Sequence, residues 1–185
     1  MPNLFLSPSV QEFNPYVNGL GTEEYYMNLI ADAMEPYLIA SGITFTRNSP
    51  DDTLRQVIAL SNAGNYDFHL ALHSNASPES LSGQLQGSDI YYYATSSEAL
   101  RAALIFESNL KVIYPDPSRV KTVANTTLAE LRLTRAPANL IELAYHDNLE
   151  DATWIINNIP LIARTLVLSL TEYFGIPFRE PQTAL

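Results

Sequence analysis

The chain has 185 residues, 46% of them hydrophobic, and a formal net charge of -10. Because binding to nucleic acid depends mainly on cations that neutralise phosphates, so acidic a composition argues against a nucleic-acid partner. The absence of cysteine from the sequence excludes disulfides and thiolate metal sites, and it leaves imidazole, carboxylate and amide oxygen as the available metal donors.

No linker-like run divides the sequence, so we expect a single domain over residues 1–185. The apolar segments are too short to span a bilayer, and the first residues lack the basic region of a secretion signal. We therefore expect a soluble chain without membrane insertion, cytoplasmic as given. The composition indicates no particular oligomeric state.

The first third of the chain is predicted to alternate strands and helices. Residues 4–6 form a short apolar strand, followed by a polar loop, interrupted by prolines, that reaches Gly21. A helix begins near Thr22, and residues 43–46 form a second strand. Ser49 is predicted to cap the next helix, because it precedes a proline and two acidic residues.

An apolar run at residues 67–76 contains two of the three histidines. Its branched and aromatic residues, followed by Ser-Asn-Ala-Ser-Pro, predict a buried strand with His73 at its carboxyl end. Ligands bind at that edge of open α/β sheets. Four residues of strand span roughly 13 Å, too far for His69 to share a metal with His73 directly. We therefore expect His69 to be a buried, hydrogen-bonded core residue.

The remaining elements continue the alternation. We predict a β-rich segment at 89–93, a helix opened by a capping box at 95–98, a strand at 128–133, a strand at 137–142, and helices at 148–157 and 160–174. The stretch at 118–127 is ambiguous. This order predicts a three-layer αβα fold of the α/β class, with a twisted, mostly parallel sheet of about five or six strands.

Four chemically capable groups are expected near one edge of the sheet: His73, Glu142, Glu23 or Glu24, and the loop after the first strand. A hydrolytic zinc site needs about three protein ligands, an open position for water, and a carboxylate that moves the proton of that water. A histidine at a strand end is more often hydrogen-bonded locally. The residues alone therefore leave a metal site and a local hydrogen bond as alternatives.

Two segments resemble motifs of the zinc-dependent N-acetylmuramoyl-L-alanine amidases. Residues 73–76, His-Ser-Asn-Ala, are similar to the H-x-N-A motif of that family, and residues 137–142, Pro-Ala-Asn-Leu-Ile-Glu, are similar to its P-A-x-L-x-E segment. The Leu-Arg pair at 131–132, the glutamate-opened helix at 24–29 and the strand at 6–8 extend the resemblance over nearly the whole chain.

The resemblance implies a role for each matching residue. His73 and Glu24 would bind zinc, and Glu142 would act as the catalytic base and acid. Glu23 is the alternative to Glu24, because a shift of one residue exchanges them. We prefer Glu24 because Asn28 follows it at the spacing of the family's asparagine.

The first zinc ligand departs from the family pattern, which has a histidine where Val10 or Gln11 stands. Valine cannot bind a cation, whereas Gln11 offers a carbonyl oxygen, a neutral and weaker zinc donor than imidazole. His146 is an alternative replacement from elsewhere in the chain. It would equally well cap the helix that begins near Asn148.

Asn75 of the H-x-N-A match and Arg132 are assigned to substrate binding. The guanidinium of Arg132 would meet a substrate carboxylate, with exposed ion pairing as the alternative. The tyrosine run at 91–93 resembles a carbohydrate platform, but only alternate strand residues face one side. We expect the run to be structural.

The resemblance thus implies a peptidoglycan hydrolase, with peptidoglycan or muropeptides as its partner, that uses a zinc-activated water to cut the amide between N-acetylmuramic acid and L-alanine. Such a chain would reach the wall after export, or after cell or phage lysis as an autolysin or endolysin. The missing histidine motivates an alternative, a degenerate amidase fold that binds wall peptides or regulates a partner without turnover. A third possibility is the same chemistry on another amide.

Overall fold

The computed structural model describes residues 1–182. Within that range six strands form one sheet: β1 Asn3–Pro8, β2 Thr44–Arg47, β3 Phe68–Asn75, β4 Ser88–Tyr93, β5 Val120–Asn125 and β6 Ala138–Tyr145. Six α-helices of the same range flank it: α1 Glu23–Ala40, α2 Leu54–Ala63, α3 Ser97–Ile113, α4 Ala129–Leu133, α5 Leu149–Asn157 and α6 Ile159–Phe174. The predicted αβα class is confirmed.

The strands follow the order β2-β1-β3-β6-β4-β5 across the sheet. β1, β2, β3 and β6 run parallel to one another, whereas β4 pairs antiparallel with β6 and parallel with β5. The sheet is therefore mixed but mostly parallel, as predicted. This order brings the carboxyl ends of β1, β3 and β6 side by side at one edge.

The helix starts show where side-chain capping decides a boundary. The Thr22 side chain accepts a hydrogen bond from the Tyr25 backbone and caps α1, close to the predicted start. The prediction for α2 was wrong, because Thr53 and not Ser49 is its cap. Thr53 and Gln56 form a reciprocal capping box, in which each side chain accepts from the other's backbone amide.

The segment between β5 and β6 also differs from the prediction. Residues 128–133, predicted as a strand, contain the short helix α4, and β5 lies in the stretch that was ambiguous. Asn125 explains the change of direction, because its side-chain oxygen accepts from the backbone amides of Thr127 and Leu128. Leu128 and Leu131 then face the sheet at the three-residue spacing of a helix, a pattern that a short apolar run does not separate from a strand.

The two faces of the sheet are covered unequally. α1, α3, α5 and α6 contribute buried side chains to one large core, to which β3 adds Phe68, Leu70 and Leu72. The opposite face carries a small apolar cluster that includes Ala71 and Leu140, packed against α4. That second face holds the buried polar groups described below.

Within residues 1–182, no single helix is long and apolar enough to cross a membrane. α5 and α6 reach that length and composition only when taken together, and they meet at an angle of 77°.

Candidate active site

A cavity of about 630 Å³ opens on the face of the sheet that α2 and α4 cover. It lies at the carboxyl ends of β1, β3 and β6, where the parallel topology was expected to gather functional groups. Its polar lining includes Gln11, His73, Glu130 and Glu142. The predicted strand ends therefore form the wall of one site.

His73 is the central side chain of this site and is 8% exposed. Its Nδ1 lies 2.8 Å from Oε1 of Glu23 and 3.3 Å from Nε2 of Gln11, and its Nε2 lies 3.5 Å from Oε1 of Glu130. Desolvation would lower the pKa of His73, but the hydrogen bonds to Glu130 and Glu23 raise that pKa well above its usual value. The two carboxylates therefore favour the protonated form of His73 in the metal-free protein.

The structure brings Glu23, and not the preferred Glu24, to His73. Glu23 is 1% exposed, whereas Glu24 accepts a hydrogen bond from Asn28 within the same helix at 3.1 Å. Consecutive helical residues point in directions about 100° apart, and the Thr22 cap sets which of the two faces inward. The spacing that favoured Glu24 therefore identifies Asn28 as the hydrogen-bond partner of Glu24. It does not identify a residue of the site.

Burial and hydrogen bonding act on Glu23 in opposite directions. Desolvation would raise the pKa of Glu23, but hydrogen bonds from His73 and Asn14 outweigh it and lower that pKa. Asn14 Nδ2 donates to Glu23 Oε2 at 2.7 Å and to Gln11 Oε1 at 3.1 Å. Asn14 thereby ties the loop to the first turn of α1. Sequence reasoning missed it, and the signal available was its place in a long polar loop.

Gln11, and not Val10, reaches the site from the loop after β1. The Gln11 backbone amide donates to Ser9 Oγ at 3.2 Å, and the Ser9 backbone amide donates to the Leu72 oxygen at 2.9 Å, which holds the loop beside β3. His73 Nδ1 donates to Glu23 and lies next to the amide nitrogen of Gln11. Both nitrogens are then hydrogen-bond donors, so they form no hydrogen bond with each other. Rotating the amide would present the carbonyl oxygen to the same point.

Glu142 lies directly opposite His73 in the register of β3 and β6. Its Oε2 is buried and has no hydrogen-bond partner among the described residues. Burial raises the pKa of Glu142 to about 7, reinforced by the charges of Glu23 and Asp89 and opposed by His73. A carboxyl group that titrates near neutrality beside an open cavity is suited to accept and return a proton.

Glu130, on α4, is a site residue that sequence reasoning missed, because it was placed on a predicted strand. It is 4% exposed, and its carboxylate lies between His69 and His73. An acidic residue within the apolar segment at 128–133 was the available signal.

The other two histidines do not reach the cavity. His69 is fully buried and hydrogen-bonded to Ser61 and Glu130, so its prediction as a core residue is confirmed. His146 Nδ1 bonds the Ser74 backbone oxygen at 2.8 Å, and its ring stacks on Tyr16. These contacts lie away from His73, so the structure does not bring His146 to the candidate ligands. Asn148, and not His146, caps α5.

The two residues assigned to substrate binding lie outside the cavity lining. Asn75 Oδ1 accepts from the Ala76 backbone amide at the end of β3, and Arg132 is exposed on α4. Of the tyrosine run, Tyr92 packs on the large core, whereas Tyr91 and Tyr93 pack beside α4. The alternation of a strand thus divides the run between the two faces.

The side chains around His73 can bind a divalent cation if the amide of Gln11 is one of the ligands. Among residues 1–182, no three His, Asp or Glu side chains form a metal-binding group. Near His73, Glu23 provides a carboxylate and Gln11 provides an amide. The unpartnered oxygen of Glu142 belongs to the neighbouring strand, β6. One imidazole nitrogen with carboxylate and carbonyl oxygens is a donor set that divalent metals accept.

Comparisons with known proteins extend this description. The family model of N-acetylmuramoyl-L-alanine amidase matches residues 14–171. No curated protein matches the sequence.

Solved structures share the fold at low identity. AmiC2 of Nostoc punctiforme, an N-acetylmuramoyl-L-alanine amidase, is 16% identical with a TM-score of 0.80, over 94% of this chain and 97% of that chain. The CwlV catalytic domain from Bacillus (Paenibacillus) polymyxa var. colistinus is 17% identical with a TM-score of 0.81, over 96% and 100%. The catalytic domain of an endolysin targeting Clostridia difficile is 21% identical with a TM-score of 0.75, over 93% and 98%.

The family match takes in Glu23, His73, Glu130 and Glu142, whereas Gln11 precedes the matched segment. The chain belongs to the N-acetylmuramoyl-L-alanine amidase family.

Proposed function

We propose that this protein hydrolyses peptidoglycan at the amide between the lactyl group of N-acetylmuramic acid and L-alanine. The observation that carries the proposal is the buried, unpartnered Oε2 of Glu142 opposite His73 at the wall of a 630 Å³ cavity. An unsatisfied buried carboxylate oxygen costs stability, and a catalytic role gives a reason for that cost. Family membership supplies the substrate class.

His73, Glu23 and the carbonyl oxygen of Gln11 are the residues that would hold a zinc ion. When bound, zinc polarises the scissile carbonyl and lowers the pKa of a water molecule. Gln11 is a weaker donor than the imidazole it replaces. The negative charge of Glu23, which is buried next to His73, offsets part of that weakness.

Glu142 performs the proton transfers of the reaction. As a carboxylate it takes a proton from the attacking water while the water oxygen bonds to the lactyl carbonyl carbon. It then returns that proton to the alanine nitrogen as the carbon–nitrogen bond breaks. The products are a lactyl carboxylate and a free alanine amine, so one water is consumed for each bond cut.

The test uses metal-stripped protein that is reloaded with zinc and incubated with purified cell-wall fragments. We expect new amino ends, identified by dinitrophenyl labelling, to be those of alanine. Amino ends of another residue, or new reducing sugar ends, would contradict the choice of bond. Tight binding to the fragments with no amino ends released would favour the non-catalytic alternative.

Access to the wall is part of the proposal. Peptidoglycan lies outside the cytoplasm, so the protein would act after export or after lysis. Assaying intact cells with protein added from outside, alongside the wall fragments, separates access from chemistry. Activity on wall fragments but not on intact cells would mean that lysis or export has to precede the reaction.

A further inference from the structure

We infer that Glu130 is a positioning residue, which orients the His73 imidazole so that Nδ1 faces Glu23 and Gln11. The inference rests on the proposed function, because the metal-binding role of His73 is part of that proposal. Glu130 contacts His73 through Nε2 and leaves the opposite nitrogen toward the proposed ligands. It therefore acts through His73 and not on the reacting atoms.

Glu130 is a buried carboxylate without a lysine or arginine partner among residues 1–182. Burying a charge is costly unless hydrogen bonds compensate for the lost water. The imidazole rings of His69 and His73, next to its two oxygens, supply that compensation.

The two histidines of β3 share this one carboxylate. His69 Nε2 lies 2.8 Å from Glu130 Oε2, and His73 Nε2 lies 3.5 Å from Glu130 Oε1. The hydroxyl of Ser61, on α2, lies 2.9 Å from the other nitrogen of His69, Nδ1. An acceptor at Nε2 favours a proton on that nitrogen, for His69 and His73 alike.

Glu130 is itself held in place by neighbouring side chains. Ser7 Oγ, on β1, donates to Glu130 Oε2 at 2.6 Å, and Thr134 Oγ1 donates to the Glu130 backbone oxygen at 2.5 Å. The Asn125 turn anchors the start of α4. A carboxylate fixed from β1, from β3 and within α4 has little freedom to move away from His73.

These contacts have a consequence for metal binding. A histidine ligand usually donates its second ring N–H to a carboxylate or carbonyl, which fixes the ring and makes the ligating nitrogen more basic. Glu130 occupies that position behind His73, and Glu23 and Gln11 lie on the ligating side. Loss of such a partner typically weakens metal affinity about 10- to 100-fold.

The experiment compares Glu130→Gln with Glu79→Gln, a matched change at an exposed residue outside the cavity lining. Zinc affinity is measured by competition with a chromophoric chelator, and folding by circular dichroism. We expect Glu130→Gln to bind zinc about 10- to 100-fold more weakly, and Glu79→Gln to stay within about twofold of the parent chain. A folded Glu130→Gln protein with the parent's zinc affinity would overturn the inference, even if it melted at a lower temperature.

A second measurement needs no variant. Long-range proton–nitrogen spectra of the zinc-loaded parent chain, labelled with 15N-histidine, should show a proton on His73 Nε2 and none on Nδ1. A proton on Nδ1 and none on Nε2 would overturn the inference, because Glu130 would then have no N–H to accept. These spectra decide the matter if Glu130→Gln does not fold.

Failure of the proposed function is a distinct result. A parent chain that binds no zinc would reject the proposed metal site but not the contact between Glu130 and His73. In that case the metal-free spectra decide: we expect a protected His73 Nε2–H that is lost in Glu130→Gln. An Nε2–H that exchanges as fast in the parent as in the variant would overturn the positioning role.

Discussion

Along β3, successive side chains point to opposite faces of the sheet, and the two faces receive different chemistry. Phe68, Leu70 and Leu72 enter the large core, which α1, α3, α5 and α6 cover. His69 and His73 enter the face where α2 and α4 provide cover and a cavity opens. One strand thus supplies packing to one side and reactive groups to the other.

The comparison shows how a fold separates stability from function. The packed face is dominated by buried apolar side chains, so its contribution to stability comes mainly from burial. The other face buries Glu23, Glu130 and His73, which are held by one another's charges and hydrogen bonds. A substitution on the first face should therefore change stability, and one on the second should change metal binding or rate.

The largest expected effect is on the reactive face. Glu142→Gln keeps the shape of the side chain but cannot accept a proton, so we expect hydrolysis of wall fragments to fall about 100- to 10,000-fold. The measurement is the initial rate of alanine amino-end release. A variant that retains the parent rate would show that another group is the base.

On the packed face, Leu70→Ala should lower the free energy of unfolding by about 2–5 kcal/mol, because it leaves a cavity beside β3. Leu104→Ala, the same change at a leucine that is 52% exposed on α3, should cost far less. Denaturant titration measures both. The rate per folded molecule of Leu70→Ala should stay close to that of the parent chain, and a large fall would show that the two faces are coupled.

The third effect depends on pH and concerns Glu142 in the metal-free protein. Burial raises its pKa from the ordinary 4.5 to about 7, so between these values the folded state holds a proton that the unfolded chain has released. This group's contribution therefore makes the fold less stable as pH rises through that window. Relative to the parent, Glu142→Gln should gain about 3 kcal/mol of stability between the acidic and the alkaline side of the window.

Thermal unfolding of the parent and Glu142→Gln, in a chelator, across that pH range checks this prediction. The difference between the two proteins isolates Glu142 from the other titrating groups. A constant difference across the window would mean that burial does not raise the pKa of Glu142.

The smallest expected effect distinguishes two adjacent residues. Glu23→Gln should weaken zinc binding by about tenfold or more, because it removes a charged oxygen next to His73. Glu24→Gln changes a carboxylate that contacts Asn28 and should leave zinc affinity within about twofold. Calorimetric titration of both variants checks the pair. The reverse ranking would restore the sequence-based preference for Glu24.

Much of the site followed from local pattern. His73 and Glu142 were predicted at strand ends because apolar runs gave way to polar residues there, and the structure places them opposite each other in register. The choice between Glu23 and Glu24 was different, because a helix start is known from sequence only to within a residue or two. One residue of phase rotates a side chain by about 100°, from the cavity to the helix surface.

The sequence by itself determined the αβα class, the strand that carries His69 and His73, and the strand that carries Glu142, because side-chain periodicity is a local property. It did not determine the end of that strand, because β6 continues past Glu142 to Tyr145. Only the tertiary structure decided that Glu130, which lies 57 residues from His73 in the sequence, shares its carboxylate with both histidines. That contact depends on the Asn125 turn, which makes α4 a helix, and on the packing of α4 over the sheet. Neither is visible in the order of apolar and polar residues.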